Sequence, residues 1–496
     1  MRRQLLWLRS DLRVHDNTAL AAAAQAGPVI ACYLLSPGQW RAHDDSPNKV
    51  DFWLRNLQAL RHDLARLNIP LLLREADTWG QAPEVLLQLC QTLGIAAVRV
   101  NEEYGLHESR RDEAVKRRLA EAGVGFHSHL DQLFFVPGSL LTRGGTYFQV
   151  FSQFRKLCYQ RLASALPACL PAPPPQAPLD VASDPVPDEL PGFAPSAAQA
   201  REFWPAGEKA AGERLAGFAE DDLAHYHERR DRPDLDGTSQ LSAYLAAGVL
   251  SPRQCLHAAL ANNRGEFESG GPGPVAWINE LLWREFYKHI LVGFPQVSRG
   301  RAFRAQTEAL PWRHAPADLE AWQQGRTGFP IIDAAMRQLL ATGWMHNRLR
   351  MLTAMFLSKN LLIDWREGER WFMRHLVDGD LAANNGGWQW SASTGTDAAP
   401  YFRLFNPLAQ SRRFDPHGRF LRQWLPELAG LDNESLHEPS RLGLFGAPGY
   451  PAPMLDLAAS RERVLEAFRN LPGAESAQAS TASRRSEGGR LVLARE

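Results

Sequence analysis

The chain has only 5 cysteines (Cys32, Cys90, Cys158, Cys169 and Cys255), and no two of them form a C-x-x-C pair. That excludes the spacing of a zinc knuckle or an iron–sulfur site, so no metal is expected. Net charge is missing too: 55 basic residues balance 55 acidic ones. No global field therefore draws nucleic acid in, although a local basic groove stays open. No G-x-G-x-x-G follows the first apolar run, which removes the dinucleotide fingerprint. No apolar run is long enough to span a membrane, and the opening Met1-Arg2-Arg3-Gln4-Leu5-Leu6-Trp7 is too short in apolar residues for a signal peptide. The expectation is a soluble cytoplasmic protein with reduced, mostly buried cysteines.

What the chain does have is length and tryptophan. Its 496 residues call for more than one domain. Of its 15 tryptophans, ten fall between Trp277 and Trp424. Core packing alone would spread them more evenly, so stacking or redox roles are expected in the second half, with several left as ordinary core.

The first part alternates strand-like and helix-like segments. Runs at 5–9, 29–35, 69–73, 96–100 and 124–126 read as strands, and 50–67, 85–93 and 108–122 as helices, with an Ala-rich helix from about Thr18. The alternation predicts an α/β fold, a doubly wound, Rossmann-like parallel sheet that binds any ligand beyond the carboxyl ends of its strands. From about Ala165 to Pro195 the chain is dense in Pro, Ala and Asp, including Pro171-Ala172-Pro173-Pro174-Pro175, and reads as a connection over the surface. Beyond it the pattern is helical nearly throughout. The division expected is an α/β domain over 1–130, a linker over 131–200, an all-α domain over 201–470 and a disordered tail over 471–496.

Four constellations stand out in the helical part. In Tyr226-His227-Glu228-Arg229-Arg230 and Gly237-Thr238-Ser239-Gln240-Leu241-Ser242, three hydroxyls around a helix start offer donors to a phosphate; a plain N-cap is the alternative. In Trp277-Ile278-Asn279-Glu280-Leu281-Leu282-Trp283-Arg284, helical spacing puts Trp277, Glu280, Trp283 and Arg284 on one face. A carboxylate among indoles meets either an Arg or a ligand donor. In Trp344-Met345-His346-Asn347-Arg348-Leu349-Arg350-Met351, Asn347 and Met351 stack four apart, unless this is simply a basic amphipathic helix with a Met seam. The fourth runs Asp378-Gly379-Asp380-Leu381-Ala382-Ala383-Asn384-Asn385-Gly386-Gly387-Trp388-Gln389-Trp390. Carboxylates, amides, indoles and a glycine pair free for close approach or positive φ suit a planar ligand with a polar edge. A polar loop before a buried aromatic corner is the alternative.

In this order, and with Trp7-Leu8-Arg9-Ser10-Asp11-Leu12-Arg13 at the start, the motifs resemble the photolyase/cryptochrome family, most closely its class I cyclobutane pyrimidine dimer DNA photolyases, over about residues 1–470. The resemblance implies one FAD per chain, held in reduced form in the helical domain. Tyr226, Thr238, Ser239, Gln240, Leu241 and Ser242 would hold its pyrophosphate side. Trp277, Arg284, Trp344, Asn347, Arg350, Asp378, Asp380 and Asn384 would complete the site, with Arg350 paired to Asp378 and Asn384 facing flavin N5. The lesion in UV-damaged DNA, single- or double-stranded, would be flipped out. Trp283 and Trp390 would wall it, Glu280, Asn347 and Met351 would meet it, and Arg230, Arg348 and Arg403 would hold its phosphates. Trp388, Trp365 and Trp312 match the family's chain of indoles from flavin to surface.

For an antenna chromophore, expected as 5,10-methenyltetrahydrofolate, His43 and Glu108 match two site positions. The chain departs from that pattern at His107, where Asn is expected, and at Ser298-Arg299, where Cys-Lys is expected; a cation is retained, and the chromophore stays open. A (6-4) photolyase would carry His where this chain has Asn347 and Met351. A cryptochrome-type blue-light receptor is the remaining alternative. The implied enzyme is a monomeric light-dependent deoxyribodipyrimidine photo-lyase.

Overall fold

The computed structural model describes residues 2–445 and 447–472; from 473 on, the expected tail lies outside them. Five strands, β1 (Arg3–Leu8), β2 (Val29–Leu35), β3 (Leu71–Glu75), β4 (Ile95–Asn101) and β5 (Gly125–His129), form one parallel sheet in the order β3-β2-β1-β4-β5. Leu5, Leu6, Trp7 and Leu8 are all buried, as a central strand covered on both faces requires. The crossovers run through α1 (Thr18–Ala26), α2 (Pro47–Arg66), α3 (Ala82–Leu93) and α4 (Leu106–Glu121). Asn17 caps α1 through Leu20 N–H, and Ser46 caps α2 through Lys49 N–H. The strands and helices read from periodicity are all present, with ends shifted by up to three residues. Four of the cysteines are buried and Cys169 is exposed; all are free thiols.

The Pro-rich connection runs along the sheet's edge. Leu71 N–H donates to Ser183 Oγ (3.0 Å), Leu73 N–H to Asp184 Oδ2 (2.8 Å), and Asp184 N–H to Leu71 C=O (2.9 Å). Residues 183–184 thus cover edge strand β3. The stretch read as linker also contains α5 (Phe151–Ser164), whose buried Phe151, Phe154, Cys158 and Leu162 form a helical stripe against the helical domain.

Among the described residues, every regular element after the connection is a helix. The elements that build the site are α6 (Pro272–Gly293), α7 (Asn347–Met355), α8 (Trp365–Met373), α9 (Leu381–Ala392) and α10 (Leu457–Arg469). The two domains are locked by a buried ion network. Arg253 of the helical domain bonds Asp16 (2.9 Å) and Asp131 (2.9 Å), and Arg13 bonds Asp131 (2.6 Å). Each charge in it faces at least one opposite partner, as burial demands.

Candidate active site

Helix α6 carries the largest share of the site. Pro272 sits in its first turn, where the missing N–H is harmless. Along the helix, Trp277 packs on Phe218 (5.0 Å between ring centres), and Trp283 stacks on Phe151 (3.8 Å, 12° between planes). Glu280 meets Arg230 at 2.7 Å, and Arg284 donates to Gln132 C=O at 2.6 Å. Burial raises the Glu280 carboxyl above its ordinary range despite the Arg230 guanidinium. One turn further, Lys288 bonds Asp380 at 2.7 Å.

The stretch 237–242 is an irregular loop leading into a short helix. Gln240 adopts left-handed φ (47°), and a Cβ on Gly237 would come within 2.5 Å of Arg229 Cβ. The Gln240 side chain is committed to Arg214 (3.2 Å) and Asp236 (2.8 Å), and its backbone carbonyl also accepts from Arg214 (3.4 Å). Thr238 and Ser239 are half-buried, Leu241 is buried, and Ser242 Oγ accepts from Trp344 Nε1 at 3.3 Å. Tyr226 is buried edge-on against Phe218.

The motif with paired glycines is not a loop. It forms α9, and neither Gly386 nor Gly387 takes positive φ. Gly386 instead allows a close approach: a Cβ there would lie 2.3 Å from Tyr287 of α6. Gly368 of α8 does the same for Trp388, whose ring would meet its Cβ at 2.0 Å. Gly387 faces open space. Asp380 caps α9 through Ala383 N–H (3.0 Å); burial opposes its charge, but Lys288 and Arg284 outweigh it and hold the carboxyl well below its usual range. Asp378 takes Arg350 on Oδ2 (2.7 Å), and its buried Oδ1 has no partner among the described residues. Asn384 donates through Nδ2 to Glu369 C=O (3.0 Å), Asn385 donates to Glu369 Oε1 (2.9 Å), and Gln389 donates to Asn385 Oδ1 (2.8 Å).

On α7, His346 is the cap, accepting Arg348 N–H at 3.2 Å; burial pushes its imidazole down to about 4. Asn347 is exposed and Met351 half-buried one turn on. Arg348 pairs with Asp231 at 2.7 Å and lies over Phe414. Trp390 is half-buried and Arg403 exposed. Trp388 and Trp365 are buried in one cluster, against which the half-buried Trp312 packs. Sequence reading missed Trp322, which sits 6.0 Å from Trp388 in that cluster. It also missed Lys288, Asp231 and Glu369; Lys288 was within reach, four residues past Arg284 on the same helix.

A cleft of about 370 Å³ opens between the domains. Trp7 and Leu8 at the end of β1 line it with Arg9 and Ser10 beyond, and Glu103, Tyr104 and Gly105 follow β4. This is where the strand order reverses, the position expected for a ligand. His43, His107, Glu108 and Ser298 all line it, while Arg299 does not; the lining cations are Arg9, Lys49, Arg111, Lys288 and Arg370. His43 lies edge-on to Trp79 (4.8 Å) and 5.2 Å from His107. Burial and the neighbouring Glu103 push the Glu108 carboxyl up to about 7, and burial does the same for Glu369.

Fold and site together define a two-domain protein, an α/β domain joined to a helical domain across a cleft. Residues 4–176 match the family model described as DNA photolyase, and 277–470 the FAD binding domain of DNA photolyase. The deoxyribodipyrimidine photo-lyase of Escherichia coli is 44% identical, covering 94% of this chain and 98% of its own. That of Vibrio cholerae is 40% identical, covering 95% and 100%. Among solved structures, the class III photolyase of Agrobacterium tumefaciens superposes with a TM-score of 0.85 (34% identity, 94% of this chain, 97% of that one). A Synechocystis cryptochrome superposes at 0.82 (29% identity, 94% and 98%). The chain belongs to the DNA photolyase family.

Proposed function

We propose that the protein is a deoxyribodipyrimidine photo-lyase, a light-dependent enzyme that splits cyclobutane pyrimidine dimers in UV-damaged DNA with FAD as cofactor. The observation that carries the reading is the residue set on α6, α7 and α9, which joins a flavin-type donor and acceptor array to Glu280, Trp283, Asn347, Met351 and Trp390. The array fits the cofactor. The buried, unpartnered Asp378 Oδ1 is an acceptor waiting for an N–H donor, as a flavin ring edge provides. Thr238, Ser239 and Ser242 hydroxyls and the left-handed Gln240 backbone suit a pyrophosphate. The remaining groups of the site are Tyr226, Leu241, Trp277, Arg284, Trp344, Asn347, Arg350, Asp380 and Asn384. Reduced FAD, when bound, supplies light-driven donation and recovery of one electron.

The chain's own residues do the rest. Arg350 fixes Asp378 in place, and Glu369 C=O fixes Asn384 with its carbonyl oxygen left over. Trp283 and Trp390 are apolar walls for a flipped base. Glu280 and Asn347 bond pyrimidine edges, and Glu280 stabilises charge that develops on the pyrimidine. Arg230, Arg348 and Arg403 bind phosphates. Glu280–Arg230 and Asp231–Arg348 are resting pairs that change partners when DNA arrives, so no desolvated charge is left alone. Trp388, Trp365 and Trp312 form an electron path from surface to cofactor.

In the finer detail, the enzyme acts as a monomer on single- or double-stranded DNA. It works in the cytoplasm, in keeping with its free thiols and with the lack, among the described residues, of any helix long and apolar enough to cross a membrane. The interdomain cleft takes an antenna, 5,10-methenyltetrahydrofolate, through His43 and Glu108. The functional units are 1–130, 201–470 and the connection between them. The test is illumination of purified, chemically reduced protein with an oligonucleotide carrying one thymine dimer, beside a dark control. Repair in the light alone is expected. Flavin-loaded protein that binds the lesion but leaves it intact in the light would overturn the reading in favour of a photoreceptor.

A further inference from the structure

Behind the exposed Arg403 lies a buried lysine without a counter-ion. Lys359 is 0% exposed, and no carboxylate comes within salt-bridge distance of it among the described residues. It sits in a widened helical turn, Phe356–Asn360, in which Leu361 N–H reaches back five residues to Phe356 C=O (2.9 Å). Such turns recur at functional sites. The Lys359 ammonium spends its donors on two backbone carbonyls, Arg403 C=O at 2.9 Å and Pro400 C=O at 3.5 Å. These two residues are the ends of one turn, closed by Arg403 N–H donating to Pro400 C=O (2.9 Å). Burial pushes the lysine down to about 7, helped by the nearby Arg403 charge.

The rest of this loop is held from the same side. Ser393 Oγ donates to Ala399 C=O (2.6 Å), and Ala399 N–H donates to Trp390 C=O (3.2 Å). Tyr401 stacks on Phe468 of α10 (5.4 Å, 15°), and Asn360 ties the lysine's turn to the same helix through Ser460 (3.0 Å). With the carbonyls of Ala399, Pro400 and Arg403 drawn inward, the side chains at the tip point out: Phe402 is 55% exposed and Arg403 stands beside it.

We infer that Lys359 is a positioning residue for DNA binding: it clamps both ends of the Pro400–Arg403 turn from inside and so presents Arg403 to the nucleic acid without touching it. The inference rests on the proposed role of Arg403 as a phosphate contact. An uncompensated buried ammonium is expensive to keep, and a hydrophobic side chain of the same length would fill the space. What distinguishes the lysine is its donors, aimed at the carbonyls of a turn with one internal hydrogen bond among the described residues.

The experiment uses the flavin-loaded full chain, a dimer-containing oligonucleotide and its undamaged counterpart. Lys359→Met keeps the volume and removes all donors. It is expected to weaken binding to the lesion roughly tenfold, the scale of hydrogen bonds from a charged donor, while repair per photon at saturating DNA and flavin content stay unchanged. A merely structural lysine would lower those two readouts as well. The double variant with Arg403→Ala should bind no more weakly than Arg403→Ala alone, because both act through one group. Wild-type affinity of Lys359→Met, or losses that add in the double variant, overturn the inference while leaving Arg403 at the DNA. A silent Arg403→Ala removes that placement and the inference with it. Should Lys359→Met fail to fold, Lys359→Gln carries the test. It retains a neutral N–H₂ donor and is expected to lose about threefold in affinity at unchanged saturated repair, and wild-type affinity again overturns the clamp.

Discussion

In the helical domain each functional carboxylate faces a cation: Asp378 and Arg350, Asp380 and Lys288, Glu280 and Arg230, Asp231 and Arg348, all at 2.7 Å. In the interdomain cleft Glu108 and Glu369 have no such partner, and both carboxyls are pushed up to about 7. The two sites therefore differ in what they respond to. The helical site is a set of close ion pairs, sensitive to removal of either partner. The cleft also holds paired acids, Glu103 with Arg111 and Asp380 with Lys288, but Glu108 and Glu369 in it are desolvated acids whose carboxyls are pushed up toward neutrality.

Breaking a pair in the helical site should give the largest effect. Asp378→Asn keeps the shape but leaves Arg350 unpaired and changes the acceptor pattern; flavin affinity should fall by about 3 kcal/mol, or roughly 100-fold, measured by flavin retention in dialysis. Full flavin content in this variant would dissolve the contrast with the cleft. Next comes Trp312→Phe, which touches no charge: photoreduction of oxidised flavin should be lost, while repair by chemically pre-reduced enzyme is kept. Loss of repair in the pre-reduced variant would remove Trp312 from the electron path.

Glu280→Gln sharpens the comparison from the substrate side. Both members of the Glu280–Arg230 pair are 29% exposed, so its loss should cost only about 1 kcal/mol of stability. Repair per absorbed photon should fall several-fold with lesion binding little changed, because the stabilisation acts on the short-lived state. Unchanged repair yield with intact flavin would confine Glu280 to pairing with Arg230.

The smallest effect belongs to the cleft. Glu108 and Glu369 bind their protons more tightly folded than unfolded, so the folded state holds more protons between about 4.5, the ordinary value, and about 7. Stability from these groups is fullest below that window and declines as pH rises through it. Glu369→Gln removes the titration and keeps the contact with Asn385. Its melting temperature should exceed that of the parent by about 2–4 °C at pH 8 and match it near pH 4.5. A gain that is the same at both pH values would show that Glu369 is not the titrating group.

Local pattern was enough for the strands and helices of the sheet domain, because a buried parallel strand is a short apolar run and its crossover helix an amphipathic one, both written in neighbouring residues. The four motifs of the helical domain were likewise legible, and so was the Arg350–Asp378 pair through the family resemblance. The reading of Gly386 and Gly387 was less complete. Both lie within α9, and only Gly386 is needed, because Tyr287 of α6 occupies the space of its missing side chain. Nothing near Gly386 in the sequence announces that neighbour.

The sequence by itself determined the fold class and the family, since these depend on periodicity and on motifs close together along the chain. Only the tertiary structure decided which charge meets which. It paired Glu280 with Arg230 and Arg348 with Asp231, left Glu369 desolvated beside Asn384 and Asn385, and put Lys359 beneath a turn more than forty residues further on. The physical reason is that pairing and desolvation are properties of distance and dielectric in space, and both are fixed only when helices remote in sequence pack together.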